Sequence, residues 1–118
     1  MDGVMDISEI VGTELSAVEF VQDYVQLRFE TPVLTFYAWP HVLFSEYSLA
    51  YGEPEYRNAL CSLIGEKVEE ATLEEGDSLT VKFENDTVIG LSLREEDLDG
   101  PQAGAYSATG SPEDAEEF

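Results

Sequence analysis

The chain carries one cysteine, one histidine and one tryptophan. A lone Cys61 excludes an internal disulfide and a multi-cysteine metal site. One His and one Cys do not make a zinc centre without several carboxylates. Basic residues are scarce too: five Lys and Arg stand against 26 Asp and Glu, for a net charge of −21. Nucleic acid offers phosphates that need Lys and Arg, and the inner membrane surface repels the same negative excess. Neither is expected as a partner. No apolar run approaches the roughly 20 residues that cross a bilayer. The start, MDGVMDISEI, lacks the basic-then-apolar pattern of a signal peptide, and Met5 is an alternative start. These absences predict a cytoplasmic protein without a cofactor.

What is present reads as globular. Of 118 residues, 43% are hydrophobic and 11% aromatic, enough for one domain that buries roughly 65% of its unfolded surface. The acidity has two readings, a solvated surface or a surface selected for a basic protein partner. After Arg94 there are eight acidic residues and no basic one. The domain is expected over residues 1–106, with Pro101 opening a short helical turn. From Ser107 to Phe118 the sequence is small, polar and acidic, which predicts a mobile tail.

One helix is expected at about 54–64. Tyr56, Ala59, Leu60, Leu63 and Ile64 make one apolar stripe, with Pro54 at its start and Gly65 at its stop. Cys61 lies beside that stripe, as a boundary packing residue. Strands dominate the rest. Val25, Leu27 and Phe29 alternate with Tyr24, Gln26 and Arg28. A two-residue turn at Gln22-Asp23 pairs Phe20 with Val25 and Val18 with Leu27, all four on one face. In SLTVKFENDTVIGLSLR a three-residue loop (Asn85, Asp86, Thr87) pairs Phe83 with Ile89, Val81 with Leu91 and Leu79 with Leu93. Asn85 or Asp86 then takes the unusual backbone angles.

Residues 10–30 and 63–84 share a layout with a period of about 53 residues. Each has two aliphatics and a glycine, a further aliphatic at Leu15 or Val68, an amphipathic hairpin, and a third strand. That pattern points to a duplicated three-stranded meander. Two meanders cover each other's apolar faces as a sandwich or rolled half-barrel, closed by the helix. Residues 41–53 read as an added hairpin with SEYS at its turn. The fold class is α+β, mostly antiparallel β.

The candidate site is YAWPHV. Leu34, Phe36 and Ala38 form one face of the third strand and Thr35, Tyr37 and Trp39 the other, so both faces are covered or border an interface. Pro40 ends the strand, and His41 falls in the turn that follows. The bland reading is a strand end with a solvent-facing imidazole. The functional one is a pocket or partner surface floored by Tyr37 and Trp39, with His41 at its rim. Catalytic patterns are missing. There is no G-x-S-x-G elbow, LIGEK is not a phosphate loop, and EEDLDG is a poor match to a calcium loop. A Cys61–His41 dyad would need the two side chains and an orienting group at hydrogen-bond distance, and no sequence spacing points to that. Composition alone leaves a paired-carboxylate site open.

FVQDYVQLRF, YRNALCSLIG and SLREEDLDGP resemble a family of small uncharacterised bacterial proteins, over about Ile7 to Ala105. The resemblance implies a stand-alone domain and brings no catalytic residue or cofactor. The leading expectation is a non-enzymatic protein that binds a protein partner, basic in character, with an immunity-like or regulatory role; edge strands add a homodimer as an expectation. The alternative is a small-molecule-binding or hydrolytic module with a pocket near Tyr37, Trp39 and His41.

Overall fold

Alternating apolar and polar residues build the molecule from strands. The computed structural model describes residues 7–22, 24–74, 76–97, 102–111, 113 and 115–118. The expectations for Met5, for Asp23 as a turn residue, for a helical turn at Pro101 and for the end of EEDLDG lie outside the described residues. The elements are β1 (Ala17–Val21), β2 (Tyr24–Arg28), β3 (Val33–Phe36), β4 (His41–Leu43), β5 (Ser48–Leu49), α1 (Tyr56–Cys61), β6 (Val68–Glu74), β7 (Ser78–Phe83), β8 (Val88–Ser92), β9 (Gly104–Ser107) and β10 (Glu116–Glu117). A 3₁₀ turn at Ser8–Ile10 precedes β1. The strands form two antiparallel five-stranded sheets, ordered β1-β2-β3-β9-β10 and β5-β4-β8-β7-β6. The architecture is α+β, dominated by antiparallel strands, and no described helix is long and apolar enough to cross a membrane.

After β3 the chain leaves for the second sheet, where β4 pairs with β8; after β8 it returns, and β9 pairs with β3. Strand alternation sends Val25, Leu27, Phe29, Leu34 and Phe36 inward from the first sheet, and Leu79, Val81, Phe83, Ile89 and Leu91 from the second. They share one buried cluster, in which the Phe29 and Phe83 rings stack with centroids 6.5 Å apart. Below these sheets the lead-ins to β1 and β6 grip each other. The Gly12 N–H donates to the Val68 carbonyl (2.8 Å) and the Gly65 N–H to the Leu15 carbonyl (2.7 Å).

The first hairpin has the expected register, Phe20 opposite Val25 and Val18 opposite Leu27. In the second, Val81 faces Ile89 and Leu79 faces Leu91, so the expected pairing is displaced by two residues. The loop is three residues long but consists of Glu84, Asn85 and Asp86, because the Phe83 N–H donates to the Thr87 carbonyl at 2.9 Å. Asn85 Oδ1 accepts from the Thr87 N–H (3.0 Å) and Asp86 takes the left-handed φ of 71°. A two-residue slip leaves every side chain on its face, so hydrophobic pattern alone does not separate the registers; local turn chemistry decides.

The helix is shorter than its apolar stripe. After Cys61, the Leu63 and Ile64 N–H groups donate to the Leu60 and Cys61 carbonyls (each 3.1 Å), which tightens the coil to a 3₁₀ turn. Gly65 then stops it at φ 95°. Tyr56, Ala59, Leu60 and Leu63 stay buried, while Ile64 rotates out to 45% exposure. Cys61 is exposed rather than packed at the boundary. The added hairpin forms with Val42 opposite Leu49, and Ser48 belongs to β5 rather than to the turn. The segment read as a tail contributes structure as well: Ser107 closes β9, and Glu116 and Glu117 pair with Tyr106 and Ala105. Gly104 makes this possible, since its missing Cβ leaves room for the Phe118 ring.

Candidate functional site

Inward apolar residues on β2 and β3 leave Tyr24, Gln26, Arg28, Val33 and Thr35 pointing outward. The ladder sets Gln26 opposite Thr35 and Arg28 opposite Val33. One step beyond β3, the same register sets Tyr37 beside Tyr24. The row through Gln26 and Thr35 continues to Ala105 on β9 and Glu117 on β10. Above these strands lies an open groove of roughly 600 Å³, lined by Tyr24, Gln26, Thr35, Tyr37, Ser107 and Glu117, with Arg28 at one end.

The polar groups on the groove are linked in pairs. Gln26 Nε2 donates to Thr35 Oγ1 at 3.1 Å, and the Tyr37 hydroxyl donates to Glu117 Oε2 at 3.3 Å. Arg28 Nε donates to Glu19 Oε1 at 2.9 Å, which neutralises the guanidinium where it stands. Partial burial raises the Tyr37 pKa, and the Glu117 carboxylate pushes it the same way.

Trp39 belongs to a different surface. The Tyr37 and Ala38 N–H groups both donate to the Ala103 carbonyl (2.8 and 3.2 Å), so the chain bends here and strand alternation ends. Tyr37 and Trp39 therefore do not share a face. The Trp39 ring stacks on Tyr51 at 4.1 Å and lies 6.4 Å from Phe20, partly buried against the core. The Arg57 guanidinium stands 5.7 Å from the Phe20 ring. The hydroxyl of Tyr56 donates to the Pro40 carbonyl and pins the crossover between sheets. Tyr51 and Arg57 also border a smaller cleft of about 290 Å³.

His41 is the first residue of β4 rather than a turn residue. It is exposed and sits opposite Gly90 on the outer side of the second sheet, because Val42 takes the inward position. The three residues of the YAWPHV reading thus sit in three settings, and only Tyr37 lines the groove. Sequence reasoning missed Tyr24 and Glu117 as its neighbours. The alternation of β2 already placed Tyr24 outward; the missing piece was the β2–β3 register, which depends on the left-handed Glu30 (φ 59°) in the connecting turn. Among the described residues no group of three or more His, Cys, Asp or Glu converges to hold a metal ion. No family model matches the chain, and neither a curated protein nor a solved structure matches it.

Proposed function

We propose that this is a small cytoplasmic binding protein, not an enzyme, that acts by engaging a basic protein partner in an immunity-like or regulatory role. The net charge of −21 carries the reading. Arg28, Lys82 and Arg94 each lie within 4 Å of a carboxylate, so the few cations do little to break the negative field. Such a field steers and selects partners of opposite charge. Among the described residues, two of the four sheet edges add acid without an ion-pair partner to that field, Glu70 and Glu74 on β6 and Glu116 and Glu117 on β10, while the uncharged edge at β5 (Ser48–Leu49) leaves room for a homodimer. A pull-down from lysate at low and high salt tests the reading. The expected result is a basic protein whose retention falls steeply with salt; a partner indifferent to salt, or none, removes it.

Behind this function we infer a duplicated architecture in which two three-stranded meanders face each other as a sandwich. Its support is a set of equivalent pairings. Val25 opposite Phe36 and Leu27 opposite Leu34 in the first sheet answer to Leu79 opposite Leu91 and Val81 opposite Ile89 in the second. The crossed bonds at Gly12 and Gly65 map onto each other when 53 is added to the first residue numbers, Gly12 onto Gly65 and Leu15 onto Val68.

A further inference from the structure

If the two halves are copies, each outer face serves as a control for the other. Inward positions keep their apolar character, as the paired residues above do. Of the outward pairs, one keeps its character, Arg28 opposite Val33 against Lys82 opposite Val88, and the others do not. Where β7 and β8 carry Ser78 opposite Ser92 and Thr80 opposite Gly90, the first sheet carries Tyr24 beside Tyr37 and Gln26 opposite Thr35. The second sheet folds with a serine at both tyrosine positions, so the fold does not require rings there. Tyr37 nevertheless stands 41% exposed on the groove. A ring with a polar tip, kept in water on a face that does without one elsewhere, is the chemistry of an interface.

We propose that this groove receives an arginine or lysine side chain of the basic partner, its cationic group lying against the Tyr24 and Tyr37 rings and ion-paired to Glu117. The assignment rests on the acidic-protein reading above and adds a location to it. Ring faces attract a cation through their quadrupole, and a carboxylate beside them adds a direct Coulombic attraction. Glu117 is that carboxylate, brought to the groove by pairing with Ala105 and held by the Tyr37 hydroxyl. The guanidinium at the groove's end, Arg28, is already held by Glu19. An anionic ligand meets Glu117 and the field of the whole chain, so charge complementarity selects a cation.

The test uses the full chain and a fluorescein-labelled Arg-Gly-Arg-Gly-Arg peptide, with affinity read by anisotropy near physiological salt. Replacing Tyr24→Ser and Tyr37→Ser together installs the residues that the second sheet carries, and is expected to weaken binding about tenfold. Glu117→Gln is expected to weaken it several-fold, whereas Glu74→Gln, an equal loss of charge on β6, changes it by less than about twofold. Circular dichroism checks the fold of the double variant, and Glu117→Gln decides the matter should that variant unfold. Equal effects of the two Glu→Gln changes, with no effect of the tyrosines, overturn the groove and leave the acidic-protein reading standing. Equal binding of a Gln-Gly-Gln-Gly-Gln peptide overturns the cation. A wild-type chain that binds neither peptide overturns the groove together with the reading it rests on.

Discussion

Glu14 and Lys67 form an antiparallel bridge between the lead-ins to β1 and β6, and the hydrogen bonds on either side of it come in exchanged pairs. The Leu15 N–H donates to the Glu66 carbonyl (3.0 Å), and its counterpart, the Val68 N–H, donates to the Thr13 carbonyl (2.9 Å). The turns outside them correspond as well: Thr13 N–H to Ile10 carbonyl (3.0 Å), Glu66 N–H to Leu63 carbonyl (2.9 Å). Three-residue turns at Ser8–Ile10 and after Cys61 deliver Gly12 and Gly65 to the same place on opposite sides. A twofold relation about the bridge accounts for all of these bonds at once.

The duplication proposed above requires Gly12 and Gly65 to respond alike to substitution. Gly12 and Gly65 have φ of 86° and 95°, with open space where a Cβ would stand, so the cost of alanine is in the backbone. Gly12→Ala and Gly65→Ala are each expected to lower stability by about 1–2 kcal/mol. Gly90→Ala is the contrast. Its φ is not positive and a Cβ would meet only Leu43 Cδ1 at 3.5 Å, an ordinary contact, so its change stays within about 0.5 kcal/mol of zero or stabilises. Urea midpoints of the three variants measure this, and a large difference between the first two contradicts the equivalence.

Phe29 and Phe83 meet within the shared buried cluster. Both are fully buried, and the interplanar angle of their rings is 24°. Each Phe→Ala change is expected to cost about 3–5 kcal/mol. Because the rings touch each other, the double variant is expected to cost less than the sum of the singles, by about 0.5–1.5 kcal/mol. A double-mutant cycle in urea reads the coupling directly; strict additivity removes the contact as a source of stability.

The core was legible in the sequence because period-2 alternation is forced wherever one sheet face is buried. Val25, Leu27, Phe29, Leu79, Val81 and Phe83 are inward both by pattern and in the structure. What escaped was set by something other than alternation. The second hairpin's register depends on Asn85 and Asp86, whose turn preferences compete with a second register of equal hydrophobic merit. Ile64 follows the stripe in sequence but leaves it in space, since the coil tightens after Cys61. The groove needs Glu117 from a segment without apolar periodicity, in which Ala108 and Phe118 pack against the core.

Trp39 and His41 are expected to behave oppositely. Trp39 is held between Tyr51 and Phe20, partly buried, so Trp39→Ala is expected to destabilise by about 2–4 kcal/mol through lost packing. His41 is exposed on β4, and His41→Ala is expected to change stability by less than about 0.5 kcal/mol. Thermal or urea unfolding of the two variants separates a packing tryptophan from a surface imidazole.

High pH is expected to loosen the crossover at Pro40. Burial raises the Tyr56 pKa well above its ordinary value near 10, and the neighbouring Tyr51 adds to the effect. Below about pH 10 the phenol is protonated in both folded and unfolded chains, so its contribution is complete there. As pH climbs further the unfolded phenol ionises first, and stability is lost as pH rises towards the raised folded value. Tyr56→Phe removes the bond to the Pro40 carbonyl, at a cost of about 1–2 kcal/mol at neutral pH, and flattens the alkaline decline. Urea midpoints at neutral and alkaline pH for both proteins measure it; an equal decline in the two clears Tyr56 of any part.

Gly104 links the C-terminal strand to the groove. A Cβ there would collide with the Thr35 carbonyl and come within 2.6 Å of the Phe118 ring. The Ala103 N–H donates to the Phe118 carbonyl (2.7 Å), and the Phe118 N–H donates to the Gly104 carbonyl (2.9 Å), so displacing the ring releases both bonds. Gly104→Ala is therefore expected to free β10 while the Phe29–Phe83 core stays folded, at a cost of about 1–3 kcal/mol. Faster amide exchange at Ala103 and Phe118, with Leu27 and Val81 still protected, is the expected signature. Tyr37 reports the same event from the groove. Once Glu117 departs, the negative charge that helps to raise the Tyr37 pKa goes with it, and the phenol titrates closer to its ordinary value. Unchanged exchange at Phe118 together with an unchanged Tyr37 titration would show that the strand closes without the space Gly104 leaves.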